Sequence, residues 1–415
     1  MSEKSIINHL KSIFKFEKEM QDWLQEEFDK KLSLADLITN TEKFEGFIPS
    51  SPIERKIFNS FNYCLKGLWS NIILSSDENI SISRGKSESL KPDFTFYDEE
   101  RESIVIVELK NSKNASRQTG TEFGAYSNEI KSHFPYLSDG DVINVIISPI
   151  WATLLKNYIF HEIFWLDRNI ICLEPIKENE ENKLKIIDIN SLFGNIFIKN
   201  ELNKLGGFQI CLYDYEKITK EERKKIYPSL DQMRIAMDVI AKTGNAQKNN
   251  GFAFLWKDLS GDPLSPYNIT IVNISAYKQI FENNNISQNN FTEKLFKTIQ
   301  TSNSDGHGGS LFKIATEVKK ILGDFCTPEC EGFTNWKELY KFMKGNKLIS
   351  FYSWGIYEDL FLERILKKQK KGDTKMSLRS PDEGIEFIRE LLGDEFENSE
   401  VEHSLPINID DDFPF

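Results

Sequence analysis

The sequence lacks any long apolar run and contains few cysteines. No uninterrupted apolar stretch approaches the roughly 18 residues that a transmembrane helix needs, so we expect no membrane span. Residues 1–20 carry charges throughout instead of the apolar core of a signal peptide. The five cysteines are scattered and odd in number, which argues against a disulfide framework and fits a reducing compartment. The sequence therefore predicts a cytoplasmic protein without membrane contact.

Motifs for nucleotide and zinc binding are also missing. No Walker A sequence occurs, and the glycines in residues 302–310 do not form a phosphate-binding fingerprint, so an ATPase is not expected. Cys326 and Cys330 could form half of a zinc site, but no second pair lies nearby. The five histidines show no ligand spacing.

Charge is distributed unevenly along the 415 residues. Residues 394–415 contain eight acids and no Lys or Arg, so removing those eight charges from the net charge of −12 leaves −4 for the rest. Basic residues cluster in residues 217–225 and 364–375. These clusters could contact phosphates or could form solvated helix faces, and both interpretations stay open.

One stretch, residues 91–113, combines two predicted strands with three charges. Residues 104–109 form a β-branched run long enough for a buried strand and too short for a helix. Asp93 opens the preceding strand, while Glu108 and Lys110 share one face because side chains alternate along a strand. Buried charges are costly without partners. A divalent cation held by Asp93 and Glu108 would explain them, and a simple Glu108–Lys110 pair is the alternative.

This pattern resembles the PD-(D/E)XK nuclease superfamily. Pro92 and Asp93 are followed by Glu108, Leu109 and Lys110, and the surrounding predicted elements have the order helix, three strands, helix, strand. We expect these elements at residues 51–70, 80–83, in the strand that Asp93 opens, and at 104–109, 115–131, 142–147, 151–160 and 170–173. The resemblance covers about residues 50–175. It implies an α/β fold with a restriction-endonuclease-like mixed sheet flanked by helices.

The resemblance also implies a metal centre. Asp93 and Glu108 would bind Mg²⁺, for which Mn²⁺ could substitute, since hard carboxylate oxygens suit this cation. Lys110 would orient or deprotonate the attacking water and offset the developing negative charge. Glu54, on the helix before the sheet, is the expected third metal ligand. A first-turn glutamate favoured by the helix dipole is the alternative interpretation of Glu54.

The helix that follows Lys110 is expected to complete the site. Gln118, Glu122 and Tyr126 recur at helical spacing and therefore share one face. Gln118 matches the place of a glutamine beside the metal in several branches of the superfamily, and an exposed helix residue is the alternative. Lys113 and Arg117 flank the strand exit and are expected to bind nucleic-acid phosphate.

The rest of the chain predicts further regions. Residues 1–49 form a helical segment, 50–195 the nuclease core, 196–393 a mixed, mostly helical (α-rich) C-terminal domain, and 394–415 a disordered acidic tail. Within the C-terminal domain we expect strands at 251–256 and 268–275. Helices are expected at 220–242, 310–322, 334–343, 357–368 and 380–392. At about 150 residues per domain, the chain length agrees with two or three domains.

The last six residues resemble the C-terminal tip of bacterial single-stranded DNA-binding proteins, in which consecutive acids precede an apolar residue, proline and phenylalanine. They are Asp410, Asp411, Asp412, Phe413, Pro414 and Phe415. The resemblance implies docking to proteins that recognise that tip, with Phe415 filling an apolar pocket and the acids steering association. A solubilising tail and an autoinhibitory tail in the DNA channel are the alternatives.

Together these patterns predict a metal-dependent DNA nuclease, a Mg-dependent endonuclease that hydrolyses phosphodiesters. The resemblance suggests a setting in restriction, anti-phage defence or DNA repair. The alternative is a non-catalytic adaptor that binds replication and repair proteins through the tip. An adaptor would not need Asp93, Glu108 and Lys110 together, and this set distinguishes the two hypotheses. The sequence leaves homo-oligomerisation open.

Overall fold

The chain divides into two compact units, Met1–Phe197 and Ile198–Phe415. The structure is a computed structural model that describes most of both units. The described residues are 13–69, 72–76, 81–83, 90–111, 116–193, 205–213, 229–261, 263–274, 297–298, 309–372 and 376–393. The predicted acidic tail, residues 394–415, lies outside them.

The first unit is built on a six-stranded mixed sheet in the order β1-β2-β3-β4-β5-β6. Its strands are β1 (Ile72–Ser76), β2 (Phe94–Asp98), β3 (Ser103–Leu109), β4 (Val142–Ile147), β5 (Ile170–Glu178) and β6 (Glu181–Ile186). Its helices are α1 (Glu17–Asp29), α2 (Thr41–Glu45), α3 (Pro52–Leu68), α4 (Ser116–His133) and α5 (Thr153–Phe160), with a π-helical turn at His161–Trp165. Short 3-10 turns lie at Ala35–Leu37, Asp139–Asp141 and Ile189–Ser191.

The centre of this sheet is parallel and its flanks are antiparallel. β3, β4 and β5 run parallel, whereas β1, β2 and β6 pair antiparallel with their neighbours. All six residues of β4 are buried, as expected for a parallel strand covered on both faces. The carboxyl ends of β3 and β4 therefore meet at one sheet edge, where Lys110 N donates to Ile147 O over 2.9 Å.

Helix α3 begins as its sequence predicts. Ser51 Oγ accepts from Glu54 N and Pro52 occupies the first turn, a pattern typical of a helix start. Further along, Ser60 Oγ donates to Ile170 O over 3.0 Å and fastens the helix to β5. A Cβ added at Gly67 would lie 2.3 Å from Ile143 Cδ1, so the glycine lets α3 approach the Ile143 side chain of β4 closely. These contacts fix α3 against the sheet.

The N-terminal segment packs on the same sheet. The Phe28 ring meets the Phe94 ring edge-on with centroids 5.2 Å apart. After α1, Thr39 N donates to Leu184 O over 3.0 Å, and Ile38 forms a parallel bridge with Leu184. The helical segment predicted for residues 1–49 is thus, in its described part, a component of the first unit.

The predicted order of helix, three strands, helix and strand is observed in the first unit, with one correction. The first strand is Ile72–Ser76, and residues 81–83, which the sequence analysis placed in it, are not in a strand. The strand forms at the longer apolar run, residues 72–74, because β-branched residues favour strands. Gly120 packs against the Tyr158 ring, whereas an added Cβ at Gly124 would meet nothing within 4 Å.

The second unit contains a five-stranded antiparallel sheet in the order β10-β7-β9-β8-β11. Its strands are β7 (Leu205–Tyr213), β8 (Gly251–Lys257), β9 (Tyr267–Ile274), β10 (Thr327–Asn335) and β11 (Lys347–Trp354). Its helices are α6 (Leu230–Ala246), α7 (Gly309–Leu322), α8 (Trp336–Met343), α9 (Ile356–Lys370) and α10 (Pro381–Leu392). Helices are as numerous as expected, but a sheet organises the region.

Each face of the second sheet has its own core. Residues of α6 and α7 pack with Ile210, Ile269 and other residues on one face. Residues of α8, α9 and α10 pack with Phe254, Phe351 and other residues on the opposite face. β7 and β11 were not predicted, and Gly206 and Gly207 weaken the strand signal of β7.

The basic residues of α9 are largely neutralised by neighbouring acids. Arg364 pairs with Glu390 over 2.8 Å and also with Glu383. Lys368 lies 2.9 Å from Glu383, and Lys367 lies 2.7 Å from Glu363. This part of the 364–375 cluster fits the solvated-helix interpretation. The 217–225 cluster lies outside the described residues.

Candidate active site

The backbone brings Asp93 and Glu108 to the same face of the sheet. Asp93 directly precedes Phe94, which pairs with Val107 in the antiparallel β2–β3 ladder, so Asp93 comes opposite Glu108. Leu109 N donates to Asp93 Oδ2 over 2.7 Å and fixes the carboxylate at the end of β3. Lys110, two residues beyond Glu108, returns to this face. The three residues predicted from the sequence therefore converge.

Lys110 lies between two carboxylates. Its Nζ is 2.6 Å from Glu108 Oε1 and 2.9 Å from Glu122 Oε2. The Lys110 and Glu108 side chains are 6% and 5% exposed, whereas Glu122, on α4, is 31% exposed. The Glu108–Lys110 pair that served as the alternative interpretation therefore exists, but it is part of a larger cluster that includes a third acid.

The N-terminal helix adds a further acid to this edge. Glu17, in the first turn of α1, accepts a hydrogen bond from Asn111 N over 3.3 Å through Oε2. Asn111 Nδ2 also donates to Phe14 O over 3.1 Å. The start of α1 is thereby attached to the residue that follows Lys110. The negative charge of Glu17 helps to raise the pKa of Asp93.

Burial and mutual repulsion make the two carboxyls hold protons unusually well. Burial, opposed by the hydrogen bond from Leu109 and reinforced by Glu17, raises the pKa of Asp93 to about 6. Burial and the neighbouring Asp93 raise the pKa of Glu108 well above its ordinary value, although Lys110 acts in the opposite direction. Burial lowers the pKa of Lys110, but Glu108 and Glu122 outweigh it and the net pKa is raised.

The cluster has excess negative charge and an unused acceptor. Glu108 Oε2 is buried and accepts no hydrogen bond from the residues that the structure describes. Such an orphaned carboxylate oxygen is costly unless a cation or proton satisfies it. Within the described ranges, no three Asp, Glu, His or Cys side chains are grouped so that they could hold a metal ion by themselves. Two carboxylates still suit Mg²⁺, which keeps several waters and takes substrate phosphate oxygens as ligands.

Glu54 is engaged elsewhere. Its Oε2 accepts hydrogen bonds from Ser50 N over 2.6 Å and from Ser50 Oγ over 2.7 Å. Within the described residues, Glu54 forms no hydrogen bond or ion pair with Asp93 or Glu108. These contacts agree with the alternative role at the start of the helix, and the metal-ligand role of Glu54 stays a prediction.

The remaining predicted site residues fall where the structure describes little. Gln118 and Arg117 lie in the first turns of α4, but their side chains are outside the described part. Lys113 and the six residues of the C-terminal tip are outside it altogether. The roles expected for these residues stay predictions.

Sequence reasoning missed two members of the cluster. Glu122 was noted on the same helical face as Gln118 and Tyr126, and this spacing was the signal that could have identified it. Tyr126 is buried beside it, and Tyr126 OH donates to Lys91 O over 3.1 Å. Glu17 gave no local signal, because a first-turn glutamate is common in any helix.

Comparison of this chain with family models, curated proteins and solved structures found no match. The description of the site therefore rests on its own geometry. No helix in the described ranges combines the length and apolarity required to cross a membrane.

Proposed function

We propose that this protein is a metal-dependent nuclease that hydrolyses DNA phosphodiester bonds at the Asp93–Glu108–Lys110 cluster. The observation that carries the proposal is the convergence of two mutually repelling carboxylates and a buried ammonium at the end of β3. Burying such a cluster of charged side chains lowers the stability of a fold. A structural ion pair would need Glu108 and Lys110 but not Asp93.

The order of elements in the first unit supports the same proposal. A helix, an antiparallel three-stranded meander, a crossover helix and a parallel strand follow one another. This is the order that the resemblance to the PD-(D/E)XK superfamily implies. A restriction-endonuclease-like core is accordingly part of the proposal, as are DNA as substrate and a setting in restriction, anti-phage defence or repair.

The residues would divide the chemistry among them. Asp93 and Glu108 would hold Mg²⁺, which supplies charge stabilisation at the scissile phosphate and lowers the pKa of a bound water. The backbone N–H of Leu109 keeps Asp93 oriented. Lys110 would hold the attacking water and place a positive charge beside the developing negative charge. Its burial makes that charge more effective than it would be in solvent.

The test is cleavage of plasmid and single-stranded DNA by the full-length chain with Mg²⁺ or Mn²⁺. We expect Asp93→Asn and Lys110→Met to reduce the cleavage rate by at least about 100-fold, because each removes a group that acts in the transition state. Glu129→Gln, a charge removal two turns after Glu122 on the same helix, is the matched control and should cleave at the wild-type rate.

Equal cleavage by all these variants would refute the assignment of the site. Absence of cleavage by the wild type, together with absence of Mn²⁺ binding by calorimetry, would favour the adaptor instead. Mn²⁺ binding without cleavage would keep the metal site and refute only the tested substrates.

The tip is proposed separately as a docking segment, on sequence resemblance alone. Deletion of Phe415 removes the apolar side chain that is expected to fill the pocket. We expect it to abolish binding to a purified protein that recognises the tip of single-stranded DNA-binding proteins. Binding that survives the deletion would contradict docking through this terminus.

A further inference from the structure

Lys110 has partners on two different elements. Glu108 belongs to β3, the strand that Lys110 itself extends, whereas Glu122 belongs to α4. The two acids approach the same ammonium over 2.6 and 2.9 Å. A lysine that serves only as the counter-ion of Glu108 would not need the second one.

Glu108 has two proposed roles, binding the metal and pairing with Lys110, and these roles compete. One of its oxygens, Oε1, is occupied by Lys110, and the other, Oε2, is the buried orphan. A divalent cation at Glu108 would repel the neighbouring ammonium and weaken its hold on that carboxylate. A buried lysine that loses its partner is strongly destabilised, so Lys110 needs a second carboxylate that does not bind the metal.

We propose that Glu122 is a positioning residue that holds the Lys110 ammonium in place when Glu108 binds the metal. This inference rests on the proposed nuclease function and assigns a role to a residue outside the Asp93–Glu108–Lys110 motif. Glu122 thereby separates the metal-binding task of Glu108 from the water-orienting task of Lys110.

The helix that bears Glu122 is fixed tightly enough for this role. Phe123, Tyr126 and Ile130 bury one side of α4, and Gly120 lies against the Tyr158 ring of α5. The rotation of the helix is therefore set by packing on both sides of Glu122. A carboxylate on a rigid element can hold an ammonium within a fraction of an ångström, as a positioning role requires.

Other polar neighbours are already committed. Tyr126 OH donates to Lys91 O, and Asp93 Oδ2 accepts from Leu109 N. Glu17 accepts from Asn111 N. Lys110 Nζ donates to Glu108 Oε1 over 2.6 Å and forms an ion pair with Glu122 Oε2 at 2.9 Å.

The experiment is a double-mutant cycle of Mn²⁺ affinity, measured by calorimetry on the full-length chain. Glu122→Gln should weaken Mn²⁺ binding by about 5-fold, because Lys110 then competes with the metal for Glu108. Lys110→Met should bind Mn²⁺ at least as tightly as the wild type. In the Lys110→Met background, Glu122→Gln should change the affinity by less than about 2-fold. Glu129→Gln is the control for charge removal on α4.

A kinetic readout accompanies the binding cycle. With saturating Mg²⁺, Glu122→Gln should lower kcat for DNA cleavage by about 10- to 100-fold while KM for DNA changes by less than about 2-fold. This division is expected because Lys110 is displaced from the attacking water but remains present. Glu122→Asp shortens the side chain by one methylene and should not restore the rate.

Three outcomes would overturn the inference. If Glu122→Gln abolishes Mn²⁺ binding equally with Lys110 present or replaced, Glu122 is itself a metal ligand and the nuclease proposal stands without this inference. If Glu122→Gln changes neither affinity nor kcat, the Lys110–Glu122 pair has no functional role. If the wild type binds no Mn²⁺, both proposals fail.

Discussion

The two sheets of this protein differ in the charge of the polar side chains that they bury. In the first unit, Glu108 and Lys110 are buried ions at the carboxyl edge of parallel strands. In the described part of the second unit, the buried polar residues are of uncharged types. Trp256 Nε1 donates to Thr270 Oγ1 and Trp354 Nε1 donates to Asn249 Oδ1, each over 2.9 Å. Neutral pairs stabilise a core at modest cost, whereas an unbalanced ionic cluster indicates function.

The first sheet brings charged side chains together through one antiparallel strand pair and the helix that follows it. The β2–β3 pair sets Asp93, just before β2, opposite Glu108, near the end of β3. Helix α4 then supplies Glu122. The second sheet instead gains two cores, one on each face. The comparison predicts that substitutions in the second sheet affect stability, whereas substitutions at the edge of the first affect charge and metal binding.

The largest effect is expected in the second sheet. Phe351 is fully buried, with ring centroids 4.8 Å from Phe254 and 4.9 Å from Phe361. Phe351→Ala should lower the free energy of unfolding of this unit by about 3–5 kcal/mol, since it leaves a cavity. Urea denaturation followed by tryptophan fluorescence would measure the change. Phe342→Ala is the control, because Phe342 is 51% exposed, and it should cost less than about 1 kcal/mol.

A substitution at the edge of the first sheet, Asp93→Asn, is expected to raise the free energy of unfolding instead of lowering it. The folded-state pKa of Asp93, about 6, lies above its ordinary value of 3.8, so the native state binds a proton more tightly than the unfolded chain. Stability of the metal-free protein should therefore fall as pH rises from about 4 to about 6 and stay lower above that range. Asp93→Asn removes the charge and keeps an oxygen that can accept from Leu109 N.

The free energy of unfolding of Asp93→Asn should exceed that of the wild type by about 1–2 kcal/mol at about pH 8 in EDTA, and this difference should vanish near pH 4. Thermal denaturation at the two pH values would measure it. Glu100→Gln, at an exposed turn, is the control and should show no such pH dependence. A gain that is the same at both pH values would show that the carboxylate of Asp93 is not destabilising.

The smallest effect distinguishes the two interpretations of Glu54. Ser51→Ala removes the acceptor for Glu54 N and should cost about 1 kcal/mol of stability. Glu54→Gln should change Mn²⁺ affinity by less than about 2-fold if Glu54 serves the start of α3. A loss of more than about 10-fold on calorimetry would instead identify Glu54 as the third metal ligand.

The core of the candidate site could be predicted because its signals are local. The run of residues 104–109 predicted a buried strand, and β3 is Ser103–Leu109. Alternation along that strand placed Glu108 and Lys110 on one face. A helix was expected at residues 380–392, and α10 is Pro381–Leu392, with the Ser380 side chain accepting from Glu383 N at its start. Such features depend on neighbours within a few positions, which a single sequence contains.

Partners from distant elements could not be predicted in this way. Glu122 and Glu17 reach the cluster only because α4 and α1 pack against the strand exit. The strands β10 and β11 were not predicted; they lie at the two edges of the sheet, and each has an irregular register that interrupts the alternation of a strand. Tertiary packing therefore decided which acids meet and which sheet organises the second unit.

The sequence by itself determined that Asp93 opens one strand and that Glu108 and Lys110 lie at the end of the next, because strand length, turn position and side-chain alternation are set by local residue types. Only the tertiary structure decided that Lys110 lies between Glu108 and Glu122 and that Glu17 reaches Asn111. The physical reason is the separation along the chain over which each kind of interaction acts. Backbone preferences act over a few residues, whereas burial and charge pairing act between whichever side chains the packed elements bring together.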